Sequence, residues 1–381
     1  MVGDAEGFQF EKCLLKHHVR VNGWLPRCAA RLKAVRKQKP RRLRYFTFCA
    51  IGAVDVFMLN IANIVRMSDK RKFDNVVFFD KDSDAVNETL KRIPGSVGFN
   101  GKFTDIVLLD PHAIEAVGAD NLTSDTKDED TVETRTTQRE RQQHSDFIAQ
   151  FPFDIINLDL EEFLFKDHDP TPGKVINSIR KIFEWQRRPL KVKGHPEQRL
   201  EAFSFMFTTQ VGPAQLADDH RNTLVNCLTE NLAQLADLPQ LLQTRTGVAT
   251  SGELLAQNFE IFFKIAVPKA VAKLGLGEDW YVDPASGVQV FEFTRDAANG
   301  PYKMLHLVMD FVKPVPDRDH RVGDMPLQAR NAYGEAVRLI IATESIPVTP
   351  ETIDEATLRE SLNKIFRKRK RSYPEEILVV V

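Results

Sequence analysis

The chain has 381 residues, 43% of them hydrophobic, and its 52 Lys and Arg residues nearly balance 53 Asp and Glu residues. This length accommodates one large α/β domain with additions, or two domains of ordinary size. The net charge of -1 excludes a global field that would draw the whole molecule to nucleic acid or to an anionic membrane. Any electrostatic partner must therefore be recruited by a local patch.

Cysteine usage and hydropathy narrow the class of protein further. The four cysteines are widely spaced and form no Cys/His cluster of the kind that binds zinc, so we expect reduced thiols and no metal. The N-terminus lacks the pattern of a signal peptide, and no stretch approaches the roughly 20 apolar residues of a membrane helix. We therefore expect a cytoplasmic protein without a membrane partner.

The first element in chain order is a basic helix. Residues 27–44 contain nine Lys or Arg residues and no acidic residue, and apolar residues recur at helical spacing until Pro40. We predict that residues 1–42 form a basic helical extension. A strand over 45–49 follows, and the sequence AIGA then leads into an apolar helix.

Strands and helices continue to alternate along the chain. An apolar run ends in Asp80, and a helical pattern follows it until Pro94. Long helical patterns occupy 215–274, and the turn-rich DAANGP joins the last two strands into an antiparallel hairpin. Besides 45–49, strands are predicted at 75–79, 96–99, 153–160, 202–208, 288–294 and 304–311.

Two polar regions stand apart from this alternation. Residues 118–146 contain almost no large apolar side chain, so they bury too little surface to offset the entropy of ordering. We predict a mobile polar insertion there. Residues 314–381 are predicted to form a C-terminal helical extension with the basic cluster KIFRKRKR.

This organisation resembles that of the class I S-adenosylmethionine-dependent methyltransferases over about residues 43–313. The resemblance implies an α/β fold with a Rossmann-like, mainly parallel seven-stranded sheet, helices on both faces and an antiparallel closing hairpin. It also implies S-adenosylmethionine as the cofactor. The reaction would be methyl transfer to an O or N atom of a substrate that the sequence does not identify.

The resemblance assigns site roles by position. The loop after the first strand corresponds to the loop that approaches the methionine portion of the cofactor, and Asp80 to the carboxylate that binds both ribose hydroxyls. Asp80 can instead cap the following helix. Phe103 is placed to stack on the adenine, and Asp159 lies where a polar residue faces the transferred methyl group. The candidate cofactor-binding residues are Cys49, Ala50, Gly52, Asp55, Asp80 and Phe103, and the candidate catalytic residues are Asp159, Asn157 and Glu161.

Other functions stay open at this point. Gly52 is the single glycine of its loop and Cys49 replaces the usual acid, which favours a catalytically weakened subunit that serves as a nucleic-acid- or protein-binding scaffold. The basic runs are either solvated faces or a nucleic-acid surface. That surface would be formed by Arg36, Lys37, Arg41, Arg42, Lys368, Arg369 and Arg371. A nicotinamide-dependent oxidoreductase fits less well, because no GxGxxG follows the first strand.

Overall fold

The apolar runs that the sequence marks as strands pair with one another in a nine-stranded sheet. This computed structural model describes residues 10–37, 43–48, 75–93, 95–108, 129–160, 173–190, 197–212, 216, 218–295, 301–313, 327–358 and 360–361. The strands, β1 to β9 in chain order, are Tyr45–Phe48, Val76–Asp80, Val97–Asn100, Ile155–Asp159, Ala202–Val211, Tyr281–Val282, Val288–Arg295, Tyr302–Val312 and Ser345–Val348. Their spatial order is β3-β2-β1-β4-β5-β8-β7-β9, and β6 pairs with β8.

The directions of the strands confirm a mainly parallel sheet with an antiparallel hairpin. Neighbours among β1 to β5 are parallel, whereas β8 runs antiparallel to both β5 and β7. In the described residues the sheet has nine strands rather than the predicted seven. The two strands that were not predicted are β6, which is only two residues long, and β9, which contains Pro347. Proline argues against a central strand, but β9 lies at the edge of the sheet, where it is tolerated.

Helices cover both faces of this sheet. A π-helix, Arg20–Trp24, joins α1 to α2. The long helical pattern at 215–274 divides into four helices, α7 to α10. In chain order, α1 to α11 are Phe10–Val19, Leu25–Arg36, Ser83–Arg92, Phe103–Val107, Glu129–Ile148, Lys174–Trp185, Asp218–Gln234, Leu238–Thr246, Ser251–Gln257, Phe259–Leu276 and Leu327–Ala342.

The alternation of residues along β5 gives the sheet two unlike faces. Phe203, Phe205 and Phe207 join the larger hydrophobic core, to which α6 and α10 also contribute. The residue that follows each of these phenylalanines points to the opposite face, because side chains alternate along a strand. Two of these, Ser204 and Thr208, are polar and buried. The second face of the sheet therefore has buried polar side chains.

The N-terminal segment, predicted as an extension, lies directly on this second face. Apolar residues of α2 and of the π-helix pack there, including Trp24, Cys28 and Val35. Gly23 permits the close approach, because a Cβ at this position would lie 2.8 Å from Cε2 of Phe291 on β7. Their partners on the sheet include Tyr45, Val76, Ile155, Met206, Phe293, Met304 and Val308. The segment therefore forms one wall of the interior.

The polar stretch 118–146 is in part a helix. Residues Glu129–Ile148 form α5, so the part of the predicted mobile insertion from 129 to 146 is helical. Phe147 in its last turn is fully buried and packs against Phe46 and Phe79 of the sheet. His144 in the same part of the helix is also buried and lies 2.6 Å from the carbonyl of Ile106. The composition of 118–146 does not reveal this docking, because Phe147 lies just beyond the stretch and His144 is polar. The first part of the stretch lies outside the described residues.

Candidate functional site

The strand order defines where a ligand is expected to bind. From β1, the chain adds β2 and β3 on one side, and then β4 and β5 on the other. In open α/β sheets, ligands bind beyond the carboxyl ends of the strands at such a reversal of strand order. Asp80 ends β2 and Asp159 ends β4, so two of the predicted site residues flank β1 at this end of the sheet.

Asp80 is held at the end of β2 and is 8% exposed. Its Oδ1 accepts a hydrogen bond from the backbone N–H of Asp82 at 3.0 Å. Asp82 is the N-cap of α3, and its side chain accepts from the N–H groups of Asp84 and Ala85. Asp82 therefore takes the capping role that was an alternative for Asp80. The position of Asp80 leaves the ribose role as a prediction.

Phe103 has a different environment from the one its position suggested. Its side chain is only 2% exposed, and its ring packs against Phe48 at 5.4 Å and Phe79 at 6.0 Å between centroids. The preceding turn contains Gly101 at φ 147°, and its N–H donates to the carbonyl of Asp80 at 2.9 Å. The turn needs glycine there. Phe103 thus belongs to the core, and adenine stacking stays a prediction that requires the ring to be uncovered.

Asp159 forms an ion pair with the N-terminal helix. Lys16 Nζ lies 2.8 Å from Asp159 Oδ2, and both side chains are mostly buried. Burial by itself would raise the pKa of Asp159, but the adjacent Lys16 ammonium, with His306 and Arg20, lowers it to about 2. The carboxylate is therefore ionised at neutral pH and weakly basic. It is better suited to orienting a charged or hydrogen-bonding group than to removing a proton.

His306 lies in the same row of the sheet. The register places Asp159 opposite Thr208 and Thr208 opposite His306. Trp24 Nε1 donates to His306 Nε2, and His306 Nδ1 lies 2.7 Å from Thr208 Oγ1. An indole N–H can only donate, so Nε2 is the acceptor and Nδ1 carries the proton that Thr208 receives.

The charge state of His306 follows from its surroundings. Burial lowers its pKa to about 3, although the carboxylate of Asp159 opposes this shift. The ring is therefore neutral at physiological pH, and both nitrogens are used in holding Trp24 and Thr208. His306 fixes the N-terminal segment to the sheet and is not available as a general base.

Asn157, a predicted neighbour of Asp159, lies two residues earlier on β4 and on the same face of the sheet. It is 1% exposed, and its Nδ2 donates to Tyr45 Oη at 3.3 Å. Its Oδ1 is buried and has no hydrogen-bond partner among the residues that the structure describes. Buried acceptors are nearly always paired, so an orphan at this place points to a ligand or to solvent.

Arg20 opens the π-helix and is 9% exposed. Its Cζ lies 5.5 Å from the centroid of the Trp24 ring, and Nη1 donates to His17 Nδ1 at 3.4 Å. Burial and the charge of Arg20 lower the pKa of His17 to about 3, so His17 is neutral. π-Helices are rare and often occur at functional sites. Here the π-helix turns Arg20 and Trp24 toward the sheet.

Sequence reasoning did not identify five of these site residues. Thr208 and His306 were within predicted strands, and the signal that could have found them is a polar residue in an apolar run, as in MLHLVMDF. The other three come from the N-terminal segment, which resembled a solvated basic helix. The five residues are Lys16, Arg20, Trp24, Thr208 and His306.

Three arginines of the basic run 27–44 make contacts inside the molecule. Arg27 and Arg31 pair with Asp310 at 3.1 and 3.4 Å, and Arg44 donates to the carbonyl of Gln150. Among the seven residues proposed to contact nucleic acid, Lys37 is exposed and Arg36 ends α2. Arg41, Arg42, Lys368, Arg369 and Arg371 lie outside the described residues, as do Cys49, Ala50, Gly52, Asp55 and Glu161.

Comparison with known proteins adds no family assignment. No protein-family model matches the chain, and no curated protein matches it. In the described part of the chain, no helix has the length and apolar character needed to cross a membrane. No group of three or more His, Cys, Asp or Glu side chains in those same residues could hold a metal ion. The geometry of the site must therefore carry the functional argument.

Proposed function

We propose that this chain is a class I methyltransferase-like protein that uses S-adenosylmethionine to methylate an O or N atom of its substrate. The observation that carries the proposal is the pair of carboxylates, Asp80 and Asp159, at the reversal of strand order beside β1. The mainly parallel sheet with one antiparallel strand from the terminal hairpin is also what the resemblance implies.

The chemistry of Asp80 suits the cofactor. A carboxylate at the end of the second strand can accept hydrogen bonds from two vicinal hydroxyls of a ribose. The turn that follows is ordered by Asp82, so the carboxylate of Asp80 is not needed as a helix cap. The glycine loop, which would approach the methionine portion, lies outside the described residues, and the fit therefore rests on Asp80.

The remaining residues act mainly by positioning. S-adenosylmethionine supplies an already activated methyl group, so the protein contributes orientation and exclusion of water. Asp159, with its pKa of about 2, can orient the acceptor by accepting a hydrogen bond. Lys16 and the hydrogen bonds of His306 hold the wall opposite the carboxylate in place.

Replacing Asp80 with Ala tests the proposal. Loss of two charge-assisted hydrogen bonds, each worth about 1.5–3 kcal/mol, should weaken S-adenosylmethionine binding at least tenfold in titration calorimetry. Asp84→Ala is the matched control, because Asp84 is an exposed acid in the first turn of α3 and should leave affinity unchanged. Equal affinity of Asp80→Ala and the wild type would remove Asp80 from the site.

One observation favours the alternative of a weakened scaffold subunit. The Lys16–Asp159 ion pair already neutralises the carboxylate that would face the substrate. A scaffold that kept the fold without the chemistry would show no S-adenosylmethionine binding in the wild-type titration and no methyl transfer. Binding of nucleic acid or of a protein partner through the basic runs stays part of this alternative.

A further inference from the structure

Arg20 is a buried cation with no carboxylate partner in the part of the chain that the structure describes. Its side chain makes no ion pair within 4.0 Å among the described residues, and its Nε is buried without a hydrogen-bond partner there. Arg27 on α2 is by contrast paired with a carboxylate, because its Nη1 lies 3.1 Å from Asp310 Oδ2. An unpaired buried charge is unfavourable, so the protein keeps Arg20 in an environment that an anion would complete.

The charges around Arg20 do not cancel it. Among the described residues, Arg20 interacts with His17 of the N-terminal segment and with Asp159 of the sheet, and Asp159 in turn interacts with Lys16 and His306. Lys16 and Asp159 neutralise each other through their contact at 2.8 Å. His17 and His306 are neutral, because burial holds both pKa values at about 3. The net charge of these five described residues is therefore the positive charge of Arg20.

A second polar group without a partner in the described residues is the side-chain oxygen of Asn157 on β4. Asn157 Oδ1 accepts no hydrogen bond in the described part of the chain, and it needs an N–H or O–H donor. Asn157 lies on β4 on the same face as Asp159, whose charge interacts with Arg20. The site therefore lacks one anion and one hydrogen-bond donor. A small hydroxy acid or amino acid supplies both in a single molecule.

We propose that Arg20 binds the carboxylate of a small ligand whose hydroxyl or amino group donates to Asn157. Within the proposed function, on which this assignment rests, that ligand is the methyl acceptor. The planar guanidinium of arginine matches the geometry of a carboxylate, and its contact with the Trp24 ring holds it in position. The substrate class is then a small carboxylate with a neighbouring O–H or N–H group.

Titration calorimetry without cofactor, at constant ionic strength, tests the carboxylate site. The probes are glycolate, which has a carboxylate and a hydroxyl, and glycolamide, its neutral analogue. The wild type should bind glycolate at least tenfold more tightly than glycolamide. Arg20→Met should bind glycolate at least tenfold more weakly than the wild type. Arg20→Lys should lose less affinity because it keeps the charge.

Arg27→Met is the matched control. Arg27 lies in the same N-terminal segment, but its charge is already paired, so the variant should bind glycolate as the wild type does. Arg20→Met should be at least as stable as the wild type in urea unfolding, since it removes an unpaired buried charge. Arg27→Met should be less stable, because it leaves Asp310 with one cation fewer. Glycolate binding that is absent, or equal in Arg20→Met, would overturn the proposal.

Further titrations identify the source of the carboxylate. Glycolate binding should not depend on Asp80, so Asp80→Ala should bind glycolate as the wild type does. If the wild type binds glycolate but not S-adenosylmethionine, the proposed function is overturned and the carboxylate site is retained. Arg20→Met should weaken the binding of S-adenosylhomocysteine no more than it weakens the binding of 5′-methylthioadenosine, which lacks the amino-acid portion. A selective loss of S-adenosylhomocysteine binding would overturn the acceptor assignment, because Arg20 would then bind the cofactor's own carboxylate.

Discussion

At the scale of single residues, the site is a set of buried polar groups whose protonation states are fixed by their surroundings. His306 and His17 are neutral, and Asp159 is ionised. For His306 the folded pKa of about 3 lies below the ordinary value of 6.5, so the unfolded chain binds more protons between these two pH values. Stability must then fall as pH falls from 6.5 toward 3.

His306→Gln should flatten this pH dependence. A glutamine side chain can accept from Trp24 without binding a proton, so the slope of unfolding free energy should decrease by about 1.4 kcal/mol per pH unit between about pH 6 and 4. Urea unfolding across that range measures the slope. Thr208→Val keeps the histidine and should be less stable without losing the slope. Identical slopes in His306→Gln and the wild type would show that the folded protein protonates His306.

Asp159 contributes in a lower pH window. Its folded pKa of about 2 is below the ordinary 3.8, so its stabilisation is complete above 3.8 and is lost as pH falls through about 2. The two groups can be separated experimentally, because their windows barely overlap.

At the scale of elements, the π-helix determines how closely the N-terminal segment approaches the sheet. Its buried residues are Arg20, Gly23 and Trp24. The guanidinium of Arg20 interacts with Asp159 at the end of β4, and the indole of Trp24 donates to His306 within β8. Only a residue without a Cβ fits against the ring of Phe291. The buried ring has little freedom to move, because it is 1% exposed.

Gly23→Ala should therefore destabilise the protein by about 1–3 kcal/mol, because the added methyl group overpacks the contact with Phe291. Gly252→Ala is the matched control, since a Cβ on this exposed glycine of α9 meets nothing within 4 Å. That change should stabilise by about 0.5–1 kcal/mol through helix propensity. Chemical denaturation of both variants measures the difference. A Gly23→Ala variant as stable as the wild type would contradict the close approach.

At the scale of the whole molecule, ionic contacts join the N-terminal segment to two central strands of the sheet. Asp310 on β8 accepts from Arg27, Arg31 and Ser204, and it ties α2 to the middle of the sheet. Lys16 makes a similar link to Asp159 on β4. The C-terminal region contributes β9, which pairs with β7 at the edge of the sheet. The predicted N-terminal extension thus packs on the sheet, and part of the predicted C-terminal extension pairs within it.

Asp310→Asn should cost about 3–5 kcal/mol, because two largely buried guanidinium groups lose their carboxylate. The unfolding free energy from urea titration gives this value. Asp237→Asn breaks an exposed ion pair with Arg338 and should change stability little. If the two variants proved equally stable, the contacts of Asp310 would not hold the N-terminal segment to the sheet.

The sequence by itself determined which segments become strands and where two of the carboxylates lie. Seven apolar runs became strands of the sheet, because run length and flanking turn residues are local signals. Asp80 and Asp159 each follow such a run directly, so their positions at strand ends were also local. The helix Glu129–Ile148 was not predicted, because its polar composition hides the two buried residues, His144 and Phe147, that anchor its end.

Only the tertiary structure decided which residues meet at the site. Asp159 and its partner Lys16 are 143 positions apart, and Trp24 and His306 are 282 positions apart. No local pattern encodes such pairs, because they arise from the order of the strands and from the docking of the N-terminal segment. Tertiary burial also made His306 neutral and left Arg20 without a carboxylate partner in the described residues. Periodicity specifies the elements, whereas protonation and pairing depend on what the fold packs around each polar group.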